Sequence, residues 1–405
     1  MHDVPDRAGS REVSGDEHDE AAAIRAEVRA WLEANPGPSG AELAARGLVA
    51  PHWPAPWGLG LDPAGQLVVD EELRRAKVSR PVNPIGIGWA GPTLLVGGTE
   101  AQQERWLPGI LSGEAFWCQL FSEPDAGSDL AALRTRAVAD GDEWVVTGQK
   151  IWTSYAHVAR FGILLARTDP DAEPHRGISY FVCPMDLPGI EVRPLRDMTG
   201  DHAFNEVFLD QVRLPADHLV GAAHDGWRLA KVTLGNERVS LSAEGVLWGR
   251  GPTAADLVAL SRGRALSPTQ RDALVRVWAE GRVLAALRAR QVAAVVAGRE
   301  PGPESSVRKA LADDHGQHVM DLAKDLASTA GVLEASGPFG ETGAAALVWS
   351  HGFLYAQALT IGGGAAQHRR RAGARAPARA DRVATVSRLR SREPTARGAA
   401  PRSWP

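Results

Sequence analysis

The sequence predicts an α+β multidomain chain in which a helical region is followed by strands and then by a second helical region. Apolar residues recur at helical spacing between residues 21 and 115. Short runs rich in Val, Ile, Phe and Trp, separated by Gly, Asp and Pro, occupy 116–217 and indicate strands. The helical period returns over 218–366, so we expect an α domain, a β domain and an α bundle.

The first helical region contains two well-marked helices. "AAAIRAEVRAWLEANPG" places Ile24, Val28 and Trp31 on one helix face. Thr99 is the predicted N-cap of a later helix, which we expect to end before Pro108. The preceding residues, 1–20, are polar and acidic, which predicts a disordered lead-in and argues against a signal peptide or a membrane anchor.

Sequence patterns also predict the strands and the helices of the second helical region. The expected strands are "FWCQLF", "EWVVTGQKIW", "FGILLART", "ISYFVCPM" and "NEVFLDQVRL". Residues 224–248 read as one long helix, and Ser267 with Gln270 forms a predicted capping box for the next helix. Two more helices are expected within "PESSVRKALADDHGQHVMDLAKDLASTAGVL" and "GAAALVWSHGFLYAQALT".

Composition excludes several classes of protein. The chain is 44% hydrophobic and 23% charged, as ordinary globular proteins are, and no apolar run is long enough to span a bilayer. Two cysteines, Cys118 and Cys183, are too few for a disulfide framework and favour reduced thiols in the cytoplasm. The twelve histidines lack metal-ligand spacing, so we expect no metal site.

The segment 367–405 is unlike the rest of the chain. From His368 onward it holds eleven arginines, no lysine and two acidic residues, and it has no amphipathic period. One hypothesis is an out-of-frame or otherwise non-native ending, and the alternative is a disordered basic tail. Basic composition alone is weak evidence for nucleic-acid or membrane contact, and we expect neither partner.

Two motifs in the strand region carry the chemistry. "CQLFSEPDAGSDLAALRTRA" is followed about twenty residues later by "GQKIWTS". Together with the flanking "GTEAQQERWLPGILSGE" and "FNEVFLDQVRLPADHLVG", they closely resemble the acyl-CoA dehydrogenase family over 21–367. The resemblance implies a β-barrel-like middle domain, a C-terminal four-helix bundle and an FAD cofactor.

A flavin needs an aromatic or aliphatic wall and hydrogen-bond donors at its polar edges. The positions that match the family's flavin contacts are Gln119, Phe121, Ser122, Trp152 and Ser154. Ser128 matches a position that contacts the acyl-CoA. Trp152 could instead be an ordinary core residue, and for Phe121 the core reading has equal weight.

The family's reaction needs a buried carboxylate to remove the α-proton of a thioester. Many members carry this base in the final loop, where this chain has Gly363. Isovaleryl-CoA and long-chain acyl-CoA dehydrogenases carry it on the first bundle helix, in a Glu-Arg pair, and the matching residues are Glu237 and Arg238. Arg238 is accordingly a candidate substrate-binding residue.

Helical periodicity supports Glu237 independently. It shares an apolar stripe with Trp227, Ala230, Leu234, Leu241 and Trp248. Glu244 lies two turns away on nearly the same side, and a structural ion pair of Glu237 with an arginine is the alternative to a catalytic role. The family match favours Glu237.

The triple glycine at 362–364 has two possible roles. The resemblance implies that the backbone N–H of Gly363 holds the thioester carbonyl, since glycine allows close approach of a ligand. The alternative is an ordinary helix stop after Thr360.

The sequence therefore predicts an FAD-dependent acyl-CoA dehydrogenase of lipid metabolism that forms trans-2-enoyl-CoA. The resemblance implies electron-transfer flavoprotein as oxidant and a homo- or hetero-tetramer built as a dimer of dimers. The family's Arg-x-x-Phe-Gly segment is absent from 251–265, so one FAD contact has no assigned residue. Alternatives are a non-catalytic or half-site subunit of a heteromeric dehydrogenase and an acyl-CoA oxidase, and the acyl chain stays open.

Overall fold

The computed structural model describes residues 15–240, 246–247, 251–296, 304–327 and 344–362. Helices, then one sheet, then helices follow one another along the chain, which confirms the predicted α+β class. Gly363, Glu244 and the segment 367–405 lie outside the described residues.

The N-terminal region is helical, and it differs from expectation at two places. Its helices are α1 (Gly15–Ala34), α2 (Gly40–Ala45), α3 (Pro63–Arg75), a π-helical turn (Gly86–Ala90), α4 (Gly91–Gly97) and α5 (Glu100–Ser112). Helix α1 begins inside the predicted lead-in, because acidic residues at 16, 17, 19 and 20 favour a helix N-terminus. Helix α5 has the predicted N-cap at Thr99, which forms a capping box with Gln102, but the helix continues through Pro108. Pro108 is exposed, so the carbonyl that loses its helical partner can be hydrated.

A buried carboxylate joins α1 to α3. The Glu72 side chain is 1% exposed and accepts hydrogen bonds from Arg25, Arg29 and Arg75 at 2.8–3.0 Å. The hydrogen bond from Arg29, opposed by burial and aided by Arg75 and Arg25, lowers the pKa of Glu72 to about 2.

The middle region is one eight-stranded sheet. Its strands are β1 (Trp117–Leu120), β2 (Arg136–Asp140), β3 (Glu143–Ser154), β4 (Phe161–Arg167), β5 (Ile178–Pro184), β6 (Ile190–Leu195), β7 (Phe204–Pro215) and β8 (Leu219–Val220). The hydrogen-bonded order is β6-β7-β3-β2-β4-β5-β8, with β1 pairing parallel to β4. Most residues of β4 and β5 are buried on both faces, because helices cover one side of the sheet and strands curl over the other.

The C-terminal region is helical again. Its helices are α6 (Gly226–Ser240), α7 (Ala254–Ser261), α8 (Pro268–Val296), α9 (Glu304–Ala327) and α10 (Ala344–Ala356). The capping box at the start of α8 is present, with Gln270 N–H donating to Ser267 Oγ over 3.2 Å. The expectation of one helix over 224–248 is wrong, because Val246 and Leu247 are not helical and the glycines at 245, 249 and 251 disfavour continuation.

Helix α6 is packed tightly against the sheet and the N-terminal helices. A Cβ on Gly226 would lie 2.5 Å from the carbonyl carbon of Ser179 on β5, so only glycine permits this approach. A Cβ on Gly97 of α4 would lie 2.5 Å from Leu229 of α6. The start of α6 therefore has a fixed position above the sheet. No helix in the described ranges is long and apolar enough to cross a membrane.

Replacement of Glu72 by Gln tests the arginine cluster. The variant should lose about 2 kcal/mol of unfolding free energy at pH 7, less than the pKa shift alone implies because the arginines are partly exposed. The stabilisation is present above pH 4.5 and is lost as the pH falls towards 2, so the difference from the wild type should shrink across that window. Urea unfolding at several pH values measures it.

The control is Glu71→Gln, because Glu71 is 53% exposed and pairs with Arg25 alone among the described contacts. It should change the unfolding free energy by less than about 0.5 kcal/mol. Equal losses in the two variants would contradict the role assigned to Glu72.

Candidate active site

The two sequence motifs meet in space through a buried ion pair. Lys150 of β3 is fully buried and donates to Glu123 Oε1 over 2.8 Å and to the carbonyl of Phe121 over 3.1 Å. One residue further along, the N–H of Ile151 donates to the carbonyl of Ser122 over 2.9 Å. The Glu of "SEPDAGSD" and the Lys of "GQKIW" thus hold their segments side by side.

The Glu123 carboxylate has hydrogen-bond donors besides Lys150. Its carboxylate also accepts the backbone N–H groups of Arg134, at 2.6 Å, and Thr135, at 2.9 Å. Burial would raise the pKa of Glu123, but the charge of Lys150 and these hydrogen bonds lower it overall. Burial, opposed by Glu123, lowers the pKa of Lys150 to about 8. Both residues lie within the sequence motifs, but the sequence alone indicates no role for either.

The residues expected to contact the cofactor divide into two groups. Phe121 is 3% exposed and packs edge-to-face on Tyr180, with ring centroids 6.0 Å apart, which is the geometry of a core residue. Ser122 and Ser154 are half-buried, and Trp152 is 59% exposed. The exposure of Trp152 excludes the core reading of this residue.

Trp152 owes its exposure to a bulge in β3. The register between β3 and β7 shifts between Lys150 and Thr153, and Trp152 has a φ of 59°, in the left-handed region. Its ring lies edge-on to Phe204 of β7, with centroids 5.9 Å apart. Backbone strain at a bulky residue is uncommon and often marks a ligand site.

Ser128 lies beyond a tight turn that follows Glu123. The backbone groups of Glu123 and Ala126 exchange two hydrogen bonds, and the chain then emerges at the surface, where Ser128 is exposed. The side chain of Ser128 therefore lies at the surface beyond this turn.

Glu237 lies on the inner face of α6 and is 6% exposed. The side chain of Gln119 on β1 donates to Glu237 Oε2 over 3.3 Å, and Glu237 makes further contacts beyond this one. Gln119 was expected from the sequence to contact the cofactor, and in the structure its side chain contacts the candidate base. Arg238 follows in α6, but its side chain lies outside the described part of the chain.

The arrangement suits FAD. The exposed aromatic ring of Trp152 and the half-buried hydroxyls of Ser122 and Ser154, on two segments joined by a backbone hydrogen bond, provide a wall with polar edges. Such a wall fits a flat, polarizable ring that has polar atoms along its rim. Within the described ranges, no cluster of His, Cys, Asp and Glu is arranged to hold a metal ion.

Three family models match the chain in sequence order. They are the N-terminal, middle and C-terminal domains of acyl-CoA dehydrogenase, which match residues 18–114, 118–212 and 224–377. Together they span both motifs, α6 and the bundle.

Individual relatives agree with these models. The acyl-CoA dehydrogenase FadE34 of Mycobacterium tuberculosis is 46% identical over 88% of the chain, which spans only 47% of that relative. The acyl-CoA dehydrogenase IpdE1 of the same organism is 39% identical over 84% of each protein. A solved structure named Tcur3481-Tcur3483 steroid ACAD has a TM-score of 0.71 and 29% identity, over 88% of this chain and 96% of that one.

Replacement of Lys150 by Met tests the ion pair that joins the motifs. The variant leaves a buried carboxylate without its cation, so we expect a loss of about 3–5 kcal/mol in unfolding free energy, measured by urea denaturation at pH 7.

The double variant Lys150→Met/Glu123→Gln removes both charges and should lose less than Lys150→Met alone. A double variant that is less stable than the single one would show that Glu123 does not depend on Lys150.

Proposed function

This chain belongs to the acyl-CoA dehydrogenase family, an oxidoreductase family, and we propose that it is an FAD-dependent enzyme that converts an acyl-CoA thioester into the trans-2-enoyl-CoA. The observation that carries the proposal is the buried Glu237 carboxylate on the inner face of α6, within hydrogen-bond reach of Gln119.

Glu237 is the proposed α-base. Its carboxylate takes the α-proton of the thioester as the α C–H bond breaks, and burial keeps water from competing for that proton. The amide of Gln119 donates to the same carboxylate and so restrains its orientation. Both residues lie on regular elements, which hold a base more firmly than a loop would.

The wall formed by Ser122, Trp152 and Ser154 is the proposed FAD site, with Phe121 as its buried backing. These residues would hold FAD, which would supply a hydride acceptor for the β-hydrogen. The ion pair of Lys150 and Glu123 keeps the two segments of this wall in contact, so the protein has little reorganisation to perform on binding.

The thioester end of the substrate has three proposed contacts. Ser128 is exposed beyond the Glu123–Ala126 turn, where a hydroxyl can bind the acyl-CoA. The backbone N–H of Gly363 and the side chain of Arg238 are assigned by the family resemblance alone. A backbone donor at the carbonyl would stabilise the enolate-like charge that develops as the α-proton leaves.

The comparisons favour a bulky acyl group among the alternatives. The solved structure at 29% identity is named a steroid ACAD, so we propose a steroid side-chain thioester as the first substrate to test. Short, branched and long acyl chains complete the panel. An electron-transfer flavoprotein is the proposed oxidant.

A half-site role in a heteromeric enzyme is the second candidate. The name of the same solved structure joins two designations, and the chain spans about half the length of FadE34. We therefore propose a tetramer built as a dimer of dimers, either of this chain alone or with a sister chain. Native mass of the purified protein, alone and after co-expression with a neighbouring homologue, distinguishes the two assemblies.

The cysteines agree with a reducing, cytoplasmic location, which we also propose. Cys118 and Cys183 are both free and buried, and burial raises the pKa of both thiols. Buried, protonated thiols are poor nucleophiles, so neither is a candidate catalytic group.

Replacement of Glu237 by Gln tests the proposed base. The amide keeps the shape of the side chain but cannot accept the α-proton, so the rate of anaerobic flavin bleaching by the best acyl-CoA should fall roughly 10²- to 10⁴-fold. The flavin absorbance per protein should be unchanged.

Glu104→Gln is the matched control, since Glu104 is an exposed glutamate on α5. It should bleach as fast as the wild type. An active Glu237→Gln enzyme would refute the assignment of the base, and peroxide formation in air would identify an oxidase instead of a dehydrogenase.

A further inference from the structure

Three buried hydroxyl groups meet where the three parts of the chain come together. Thr93 lies on α4, Tyr180 on β5 and Thr233 on α6, and all three side chains are fully buried. Thr233 Oγ1 is 2.8 Å from Thr93 Oγ1 and 3.1 Å from Tyr180 Oη. Thr233 is therefore bonded to both other parts of the chain at once.

The two threonine hydroxyls also contact carbonyls of their own helices. Thr93 Oγ1 donates to the carbonyl of Trp89 over 2.8 Å, and Thr233 Oγ1 donates to that of Leu229 over 3.3 Å. In the contacts between the hydroxyls either oxygen can be the donor, and each hydroxyl has a single proton to share among its contacts. The hydroxyl chain thus runs from the sheet through α6 to the N-terminal helices.

Tyr180 keeps its phenolic proton at the sheet end of this chain. Burial, opposed by the hydrogen bonds to Thr233 and Thr93, raises the pKa of its phenol, so the group stays protonated at physiological pH. Its ring also packs on Phe121, which directly follows β1. Tyr180 therefore connects the hydroxyl chain to the strand that carries Gln119.

Thr233 precedes Glu237 by one helical turn, on the same face of α6. Helix α6 is thus attached to the sheet at two successive turns, through Thr233 to Tyr180 and through Glu237 to Gln119. The first attachment lies one turn before the candidate base and therefore restrains the helix next to it.

We infer that Thr233 is a positioning residue whose hydroxyl sets the height of α6 above the sheet and thereby the place of the Glu237 carboxylate. The inference rests on the proposed role of Glu237 as the base. The close approach of Gly226 to Ser179 fixes the start of α6, and Thr233 fixes its second turn, nearer the base.

The test compares Thr233→Val with Thr233→Ser in the full-length, flavin-loaded protein. Valine keeps the shape but removes both hydrogen bonds, whereas serine keeps the hydroxyl. Because small misplacements of a catalytic group slow the chemical step, Thr233→Val should lower kcat about tenfold, with KM changed less than about twofold and flavin content unchanged. Thr233→Ser should retain kcat within about threefold of the wild type.

A second readout does not depend on turnover. Amide hydrogen exchange over 226–240 should be faster in Thr233→Val than in the wild type or in Thr233→Ser. Ser261→Ala is the control, since Ser261 is a buried helix residue on α7 that donates to the carbonyl of Leu257 over 2.7 Å. It should alter neither kcat nor the exchange of α6.

The outcomes separate this inference from the proposed function. Unchanged kcat and unchanged exchange in Thr233→Val would overturn the inference, even if Glu237→Gln abolishes turnover. A wild-type protein whose flavin is not reduced by any acyl-CoA would overturn the proposed function. Faster amide exchange in Thr233→Val alone would still support the positioning role of Thr233. If Thr233→Val does not fold, Tyr180→Phe replaces it in the test. This variant should lower kcat without a change in KM. An unchanged kcat would count against the inference.

Discussion

The buried ion pair of Lys150 and Glu123 is the constraint on which the site depends. Removing two charges from water is costly, and such a pair is tolerated only when its remaining hydrogen-bonding capacity is used. Here Glu123 accepts two backbone N–H groups besides the ammonium, and Lys150 also donates to a backbone carbonyl. The pair therefore fixes the backbone of both motif segments, and Ser122 and Trp152 owe their proximity to it.

Much of the fold could be predicted because apolar spacing reports which face of each element is buried. The burial of Glu237 on α6 followed from its apolar stripe, and the caps at Thr99 and Ser267 followed from short-range side-chain chemistry. Local rules failed where tertiary contacts outweighed them. Helix α5 continues through Pro108 because it is held by buried residues on its other face and loses a hydrogen bond only on the exposed side.

The finer structure of the site was beyond reach of the sequence for a different reason. Gln119 and Glu237 are 118 residues apart, and nothing in either segment signals that their side chains meet. Thr93, Tyr180 and Thr233 are common residue types whose role arises only when three elements pack together. Gly226 was the one available clue, since a glycine at a helix start can mark close backbone contact.

The bulge in β3 also changes which alternate residues of the strand are buried. Val146 and Lys150 are buried at even positions, but beyond the register shift the buried residue is Thr153, at an odd position. A strand without the extra residue would turn Trp152 towards the interior and Thr153 towards solvent. A substitution leaves the length of the strand unchanged, whereas the loss or gain of one residue reverses the face on which each following side chain lies. The outward position of the Trp152 ring therefore depends on the number of residues in β3 as well as on their identity.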